Sequence, residues 1–233
     1  LESTNFDDDK TLIFVSSYLS WAHTKKSNED EGADDDGGEE EEGYEAFSED
    51  QYVIRKPHEK YAHFIEAEKR VKKCTSKYLK SYVVFPGLLY GMGEEILHPF
   101  FKTAWTGKQK ELDIFLDGKN YLPTIHVADL VTILAKLFEE KPEQRYVFAV
   151  DKSTSTLKDL IGAVSTSLGT GKCKNIAGDE ICLYDNIDML LVDLKFSQEG
   201  FIEGIDEESW ICETGFVENK DKIVLEYKKK NGG

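Results

Sequence analysis

The chain has 233 residues, 40% of them hydrophobic and 32% charged, enough to bury a core in one large domain or two small ones. Its formal charge of −16 is mostly local: thirteen acidic residues and no Lys or Arg lie between Glu29 and Asp50, leaving the remainder at about −3. With no basic face to present, it is expected to bind neither nucleic acid nor an anionic membrane, and no apolar run approaches the roughly 20 residues that span a bilayer.

The start, Leu1 to Lys10, is acidic and polar with no initiator Met, and reads as an internal cut through a longer protein. Thr11 to Ser17 (TLIFVSS) is short, apolar and rich in β-formers, as a buried strand is. The acidic, Gly-containing stretch from 28 to 50 has too little apolar surface to offset chain entropy, and is expected to be a disordered insertion. From His58 to Lys73 the spacing of Tyr61, Phe64, Ile65, Glu68 and Val71 predicts a helix. Ser81 to Phe85 is a second buried strand, stopped by Pro86-Gly87.

Glu94 to Thr106 predicts a helix that Pro99 either kinks or begins. Leu112 to Leu116 and Tyr121 to Ile125 flank Asp117-Gly118-Lys119-Asn120, which predicts a hairpin. Ala128 to Phe138 is a helix with Asp129 in its first turn, and Arg145 to Val150 is a further strand. Thr156 to Leu168 is a helix that Gly169 would close in the left-handed conformation. A last helix is expected from Glu218 to Lys229. Cys74, Cys173, Cys182 and Cys212 form no Cys-x-x-Cys pair and have no His at zinc-finger spacing, which fits reduced thiols in a cytosolic compartment.

Strands separated by helices imply an α/β fold with a parallel, layered sheet. A doubly wound nucleotide fold carries a Gly-rich turn after its first strand, and this chain has none. The fold expected is therefore an incomplete Rossmann-like sheet, entered midway, with a C-terminal α+β portion from about residue 94 onward.

The segments VSS (Val15 to Ser17), PGLLYG (Pro86 to Gly91), DGKNYLPTIHVADL (Asp117 to Leu130) and YVFAVDKSTSTLKDLIGAVSTSLG (Tyr146 to Gly169) occur in that order. The order resembles the later half of an extended short-chain dehydrogenase/reductase, from its fifth strand onward. That resemblance implies a catalytic Ser or Thr at Ser16 or Ser17, followed by a helix carrying Tyr-x-x-x-Lys. It also implies nicotinamide contacts at Pro86, Gly87 and Leu88, and a substrate-side corner at His126. LPTIHVADL, AVDKSTSTLKDL and ETGFVENKDKIVLEYKKKNG are further similar to the region before the kinase domain of ciliary multi-domain adenylate kinases. This implies a nucleoside monophosphate kinase domain after Gly233, axonemal or other ciliary partners, and a cytoplasmic, ciliary location.

The residues themselves argue against dehydrogenase chemistry. Aligning IEAEK (Ile65 to Lys69) with the family's helix puts Lys60 in the Tyr position and Phe64 in the Lys position. Sliding by one residue gives Tyr61 but leaves Ile65 where the Lys should be. A lone Tyr titrates near 10 and is a poor acid at neutral pH without an adjacent cation. GTGKC (Gly169 to Cys173) is not a phosphate loop, because Thr166 stands where the first Gly is needed and the string follows a helix. His126 reads as a corner residue, bonded to backbone or to Asp129. The expectation is a degenerate domain with no catalytic residue, metal or cofactor of its own, serving as a docking or spacer module. The alternatives are a nucleotide sensor or, less in keeping with these residues, an oxidoreductase.

Overall fold

The computed structural model describes residues 6–25 and 46–232. Its centre is a three-stranded parallel sheet of β1 (Lys10–Val15), β2 (Leu79–Pro86) and β7 (Tyr146–Ala149), in the order β1-β2-β7. The register pairs Ile13 with Tyr82 and Val83 with Tyr146. Seven of the eight β2 residues are buried, as a strand flanked on both sides requires. α1 (Ala62–Lys73) makes the crossover from β1 to β2, and Arg70, Lys72 and Lys73 place positive charge against the carbonyl end of its dipole.

β3 (Leu88–Tyr90) continues β2 after Gly87 and pairs in parallel with β6 (Thr124–His126), matching Tyr90 to His126. Between them lie α2 (His98–Thr106), β4 (Leu112–Phe115) and β5 (Tyr121–Leu122). Pro99 stands in the first turn of α2, where its missing N–H is not needed, so it begins the helix rather than kinking it. α3 (Val127–Glu140) then leads to β7, and β8 (Ser155–Thr156) to α4 (Leu157–Leu168), which starts on a reciprocal Thr156–Asp159 capping box. β9 (Cys173–Ile176), a series of 3₁₀ turns and α5 (Lys220–Lys230) complete the C-terminal portion.

Two expectations fail here. The Asp117–Asn120 segment does turn, with Gly118 at φ +68 and its N–H on the Phe115 carbonyl, but no hairpin forms. β4 pairs with β9 in parallel, β5 pairs with β8, and β6 pairs with β3. Local turn chemistry fixed the bend; long-range partners took the strands. Nor is Gly169 left-handed: its φ is −117, and the left-handed residue is Gly171, at φ +77, whose N–H donates to the Ser165 carbonyl at 2.9 Å.

The stretch expected to be a disordered insertion falls mostly on residues 26–45, outside the described residues. Its last residues, 46–50, are packed. Phe47 is buried and bridges Phe196, with Phe47 N–H on the Lys195 carbonyl at 2.9 Å. Glu49 is buried and accepts the Phe148 N–H at 3.2 Å, so its carboxylate caps a backbone donor of β7. Trp21 gathers Phe47, Phe85, Phe148 and Phe196 within 5.0 to 5.7 Å. At roughly 1.5–3 kcal/mol for each buried large apolar side chain, this cluster is a principal source of stability for the sheet. All four cysteines are free, and no described helix is long and apolar enough to cross a membrane.

Candidate functional site

In a parallel sheet the strand carboxyl ends open onto the crevice where ligands sit. Ser16 and Ser17 leave β1 there, and Pro86 and Gly87 leave β2 beside them. The four residues, with Glu95 and Met189, line one cavity of about 320 Å³. Of the residues that the resemblance marked, the structure thus brings Ser16, Ser17, Pro86 and Gly87 together. Leu88 begins β3 and does not line the cavity, and His126 lies elsewhere.

Gly87 is needed by close approach: a Cβ there would stand 2.7 Å from the Pro123 carbonyl carbon and oxygen. The same contact lets Leu88 N–H reach the Pro123 carbonyl at 2.7 Å, stitching β3 to β6. Ser17 caps a 3₁₀ turn (Tyr18–Trp21), its Oγ accepting the Leu19 N–H at 3.2 Å. Ser16 lines the cavity, but its hydroxyl is already engaged. Its buried Oγ donates to Glu68 Oε1 at 2.5 Å, and Glu68 Oε2 pairs with the Arg55 guanidinium. Glu68 has no exposed surface and the Arg55 side chain is 5% exposed. Arg55 also lies 5.8 Å from the Phe85 ring and 5.7 Å from the Tyr146 ring, so its charge is held by one carboxylate and by aromatic faces.

The positions that the resemblance gives to Tyr and Lys are otherwise engaged. Lys60 is mostly exposed and forms an ion pair with Asp188, while Phe64 packs on Phe14 at 5.9 Å. Tyr18 donates to the Met189 carbonyl at 2.7 Å, and burial pushes its pKa well above 10, so it holds its proton near neutrality. Tyr18 lines the cavity, and no Lys lines it among the described residues.

His126 sits at the β6–α3 corner. Its Nδ1 accepts the Ala128 N–H at 3.2 Å as the α3 cap, and its Nε2 lies 3.2 Å from Glu226 of α5. The expected alternative of a bond to Asp129 is not what forms. Asp129 instead accepts the N–H groups of Ile211 and Cys212 at 2.6 and 2.8 Å. His126, Asp129 and Cys212 place metal-capable atoms within 4.8 Å of one another. Both His nitrogens and both Asp oxygens already have partners, and burial pushes the Cys212 thiol up to about 12, so no thiolate is ready to bind a cation. This corner is a structural knot. Nearby, burial raises Asp151 well above the carboxylate range, although it accepts the Thr124 hydroxyl at 2.7 Å. GTGKC is a helix-to-strand turn in which Ser165 Oγ donates to the Lys172 carbonyl at 2.9 Å.

Sequence reading missed Arg55 as a partner of the site and passed over Glu68. The signal for Glu68 was available: a carboxylate stood in the apolar stripe of a predicted helix, which means a buried charge that needs a partner.

No protein-family model matches the chain. It is 34% identical over 238 residues to adenylate kinase 7 of Mus musculus, covering 99% of this chain and 37% of that protein. It is 39% identical over 175 residues to adenylate kinase 7 of Macaca fascicularis, covering 72% of this chain and 33% of that one. The chain therefore spans about a third of the length of the curated relatives it matches. Among solved structures, dTDP-glucose 4,6-dehydratase from Bacillus anthracis in complex with NAD superimposes with a TM-score of 0.62 at 14% identity, covering 95% of this chain and 62% of that one. UDP-N-acetylglucosamine 4-epimerase from Methanobrevibacter ruminantium gives 0.61 at 15% identity, covering 95% and 64%. The chain belongs to the adenylate kinase 7 family, in a region built on the Rossmann-like fold of extended short-chain dehydrogenases/reductases.

Proposed function

We propose that residues 1–233 form a non-catalytic, dehydrogenase-like docking module in an adenylate kinase 7-like protein, whose phosphoryl transfer lies in sequence beyond this region. The observation that carries this reading is the Ser16–Glu68–Arg55 chain. Proton transfer by a Ser–Tyr–Lys site needs a hydroxyl free to bond the substrate and a Tyr acidified by a neighbouring ammonium. Here the hydroxyl is committed to a buried carboxylate, and neither register of the helix, Lys60 with Phe64 or Tyr61 with Ile65, supplies a Tyr and a Lys at the other two positions. Kinship with adenylate kinase 7 supports a nucleotide-phosphotransfer parent, with ciliary or axonemal proteins as the partners to test first.

The test is calorimetric titration of the chain with NAD, NADP, ATP and AMP, alongside a coupled kinase assay and a nicotinamide absorbance assay. The expected result is no turnover in either assay and no micromolar binding. A second reading, a nucleotide sensor, draws on the convergence of Ser16, Ser17, Pro86 and Gly87 on one cavity. Micromolar dinucleotide binding without turnover would favour it. Turnover by residues 1–233 would end both readings.

A further inference from the structure

The cavity's chemistry is wrong for an anion. Its walls include Leu89, Ile96 and Met189, its polar rim is Glu95 and Asn186, and no Lys or Arg lines it among the described residues. A pyrophosphate or a sugar nucleotide needs cations or a cradle of N–H groups to replace its hydration. Lys60, which the resemblance aligns with the catalytic Tyr, is held by Asp188, one residue from Met189. Glu95 is exposed, and its carboxylate has no ion pair or hydrogen bond among the described residues. A free carboxylate over an apolar slot of about 320 Å³ suits a side chain with a long apolar stem and a cationic head.

Building on the docking reading, we propose that the cavity at Ser17, Gly87 and Glu95 is a socket for an arginine or lysine side chain of a partner protein, with Glu95 as the carboxylate that receives its charge. The ancestral ligand crevice of the fold then serves as a protein-recognition pocket selecting a basic segment. The aliphatic stem packs on Leu89, Ile96 and Met189, and Asn186 offers an amide acceptor at the rim. Specificity comes from the charge: an uncharged side chain of the same shape leaves Glu95 desolvated without compensation.

The experiment is heteronuclear NMR of residues 1–233 titrated with a blocked pentapeptide, acetyl-Ala-Ala-Arg-Ala-Ala-amide, with the citrulline peptide and NAD as comparisons. The Arg peptide is expected to shift the amides of Ser17, Leu89 and Ile96, and the citrulline peptide to leave them in place. Glu95→Gln should weaken the binding roughly three- to tenfold, in the range of one partly enclosed ion pair. Leu89→Trp, at a position already 42% exposed, should block the slot without unfolding the chain. A variant with the acidic residues of 29–42 replaced by Ser should keep the cavity shifts; their disappearance would assign the binding to the acidic stretch and overturn the proposal. If neither the Arg peptide nor NAD shifts the cavity, the socket falls and the non-catalytic module stands. If NAD occupies the cavity, both fall.

Discussion

Glu68 accepts the Ser16 hydroxyl on one oxygen at 2.5 Å and pairs with the Arg55 guanidinium on the other, from a position with no solvent exposure. One carboxylate thus ties the end of β1, the middle of α1 and the segment before α1 together. A buried ion pair is weak evidence of stability in itself, because desolvation offsets the attraction. Its members are nevertheless interdependent: whichever is removed, the other is left as a buried charge.

Glu68→Ala should therefore destabilise the chain by about 3–5 kcal/mol, because Arg55 is left without its carboxylate. Ser16→Ala removes one hydrogen bond to a charged group and should cost about 1.5–3 kcal/mol. Urea denaturation of both variants gives the comparison. A cost below about 1 kcal/mol for Glu68→Ala would show that Arg55 escapes to solvent and that the site is not held as described.

Glycines at 87 and 162 should respond with opposite signs. A Cβ at Gly87 meets the Pro123 backbone at 2.7 Å, and a main chain shared by β3 and β6 cannot yield cheaply. Gly87→Ala should cost about 1–3 kcal/mol through overpacking. Gly162 lies inside α4, and a methyl group added there would meet nothing within 4 Å, so Gly162→Ala should stabilise by about 0.5–1 kcal/mol. Thermal denaturation midpoints moving in the same direction would contradict this.

How much of this was legible in the sequence depended on the range of the interaction. α1, α3, α4 and α5 follow from apolar spacing and caps within the helix, and each forms within a few residues of its expected bounds. The hairpin failed because the bend at Gly118 says nothing about which distant strand β4 and β5 will meet. The cavity was legible only through a resemblance that aligned Ser16, Ser17, Pro86 and Gly87. Arg55 could not be found at all: it joins the site from thirteen residues before Glu68, through an irregular segment with no periodicity to read. His126 showed its type but not its partner, since Glu226 is a hundred residues away.

Two carboxyl groups should make stability fall as the solution becomes more alkaline. Burial pushes Glu49 and Glu94 each up to about 7, from an unfolded value near 4.3. The folded state then holds more protons than the unfolded state between about pH 4.5 and 7. This contribution is fully present below that window and is lost as pH rises through 7. Each group should account for on the order of 1–3 kcal/mol. Glu94→Gln keeps an acceptor for the Gly91 N–H, which now reaches Glu94 at 2.8 Å, and removes the titration. Denaturation at pH 5, 6, 7 and 8 should show a shallower decline for Glu94→Gln than for the native chain. Parallel profiles would mean that Glu94 is ionised in the folded state throughout.

The outer edge of β1 gives the last prediction. Lys10 and Ser16 donate their N–H groups to Tyr78 and Val84 of the β2 side, so in a parallel ladder the even-numbered residues face β2. The N–H groups of Thr11, Ile13 and Val15 point the other way, where no strand pairs with β1 among the described residues. β7 differs, since Glu49 caps its Phe148 N–H. An open edge of apolar backbone is a template for another strand, and the chain on its own should self-associate or bind hydrophobic dyes. Hydrogen exchange resolves it residue by residue. Leu12 and Phe14 should be protected nearly as well as β2, and Thr11, Ile13 and Val15 should exchange much faster in dilute solution. If Ile13 becomes protected as protein concentration rises, a second copy is closing the edge. Full protection of Ile13 at every concentration would show that the edge is already covered, and the prediction of self-association would be lost.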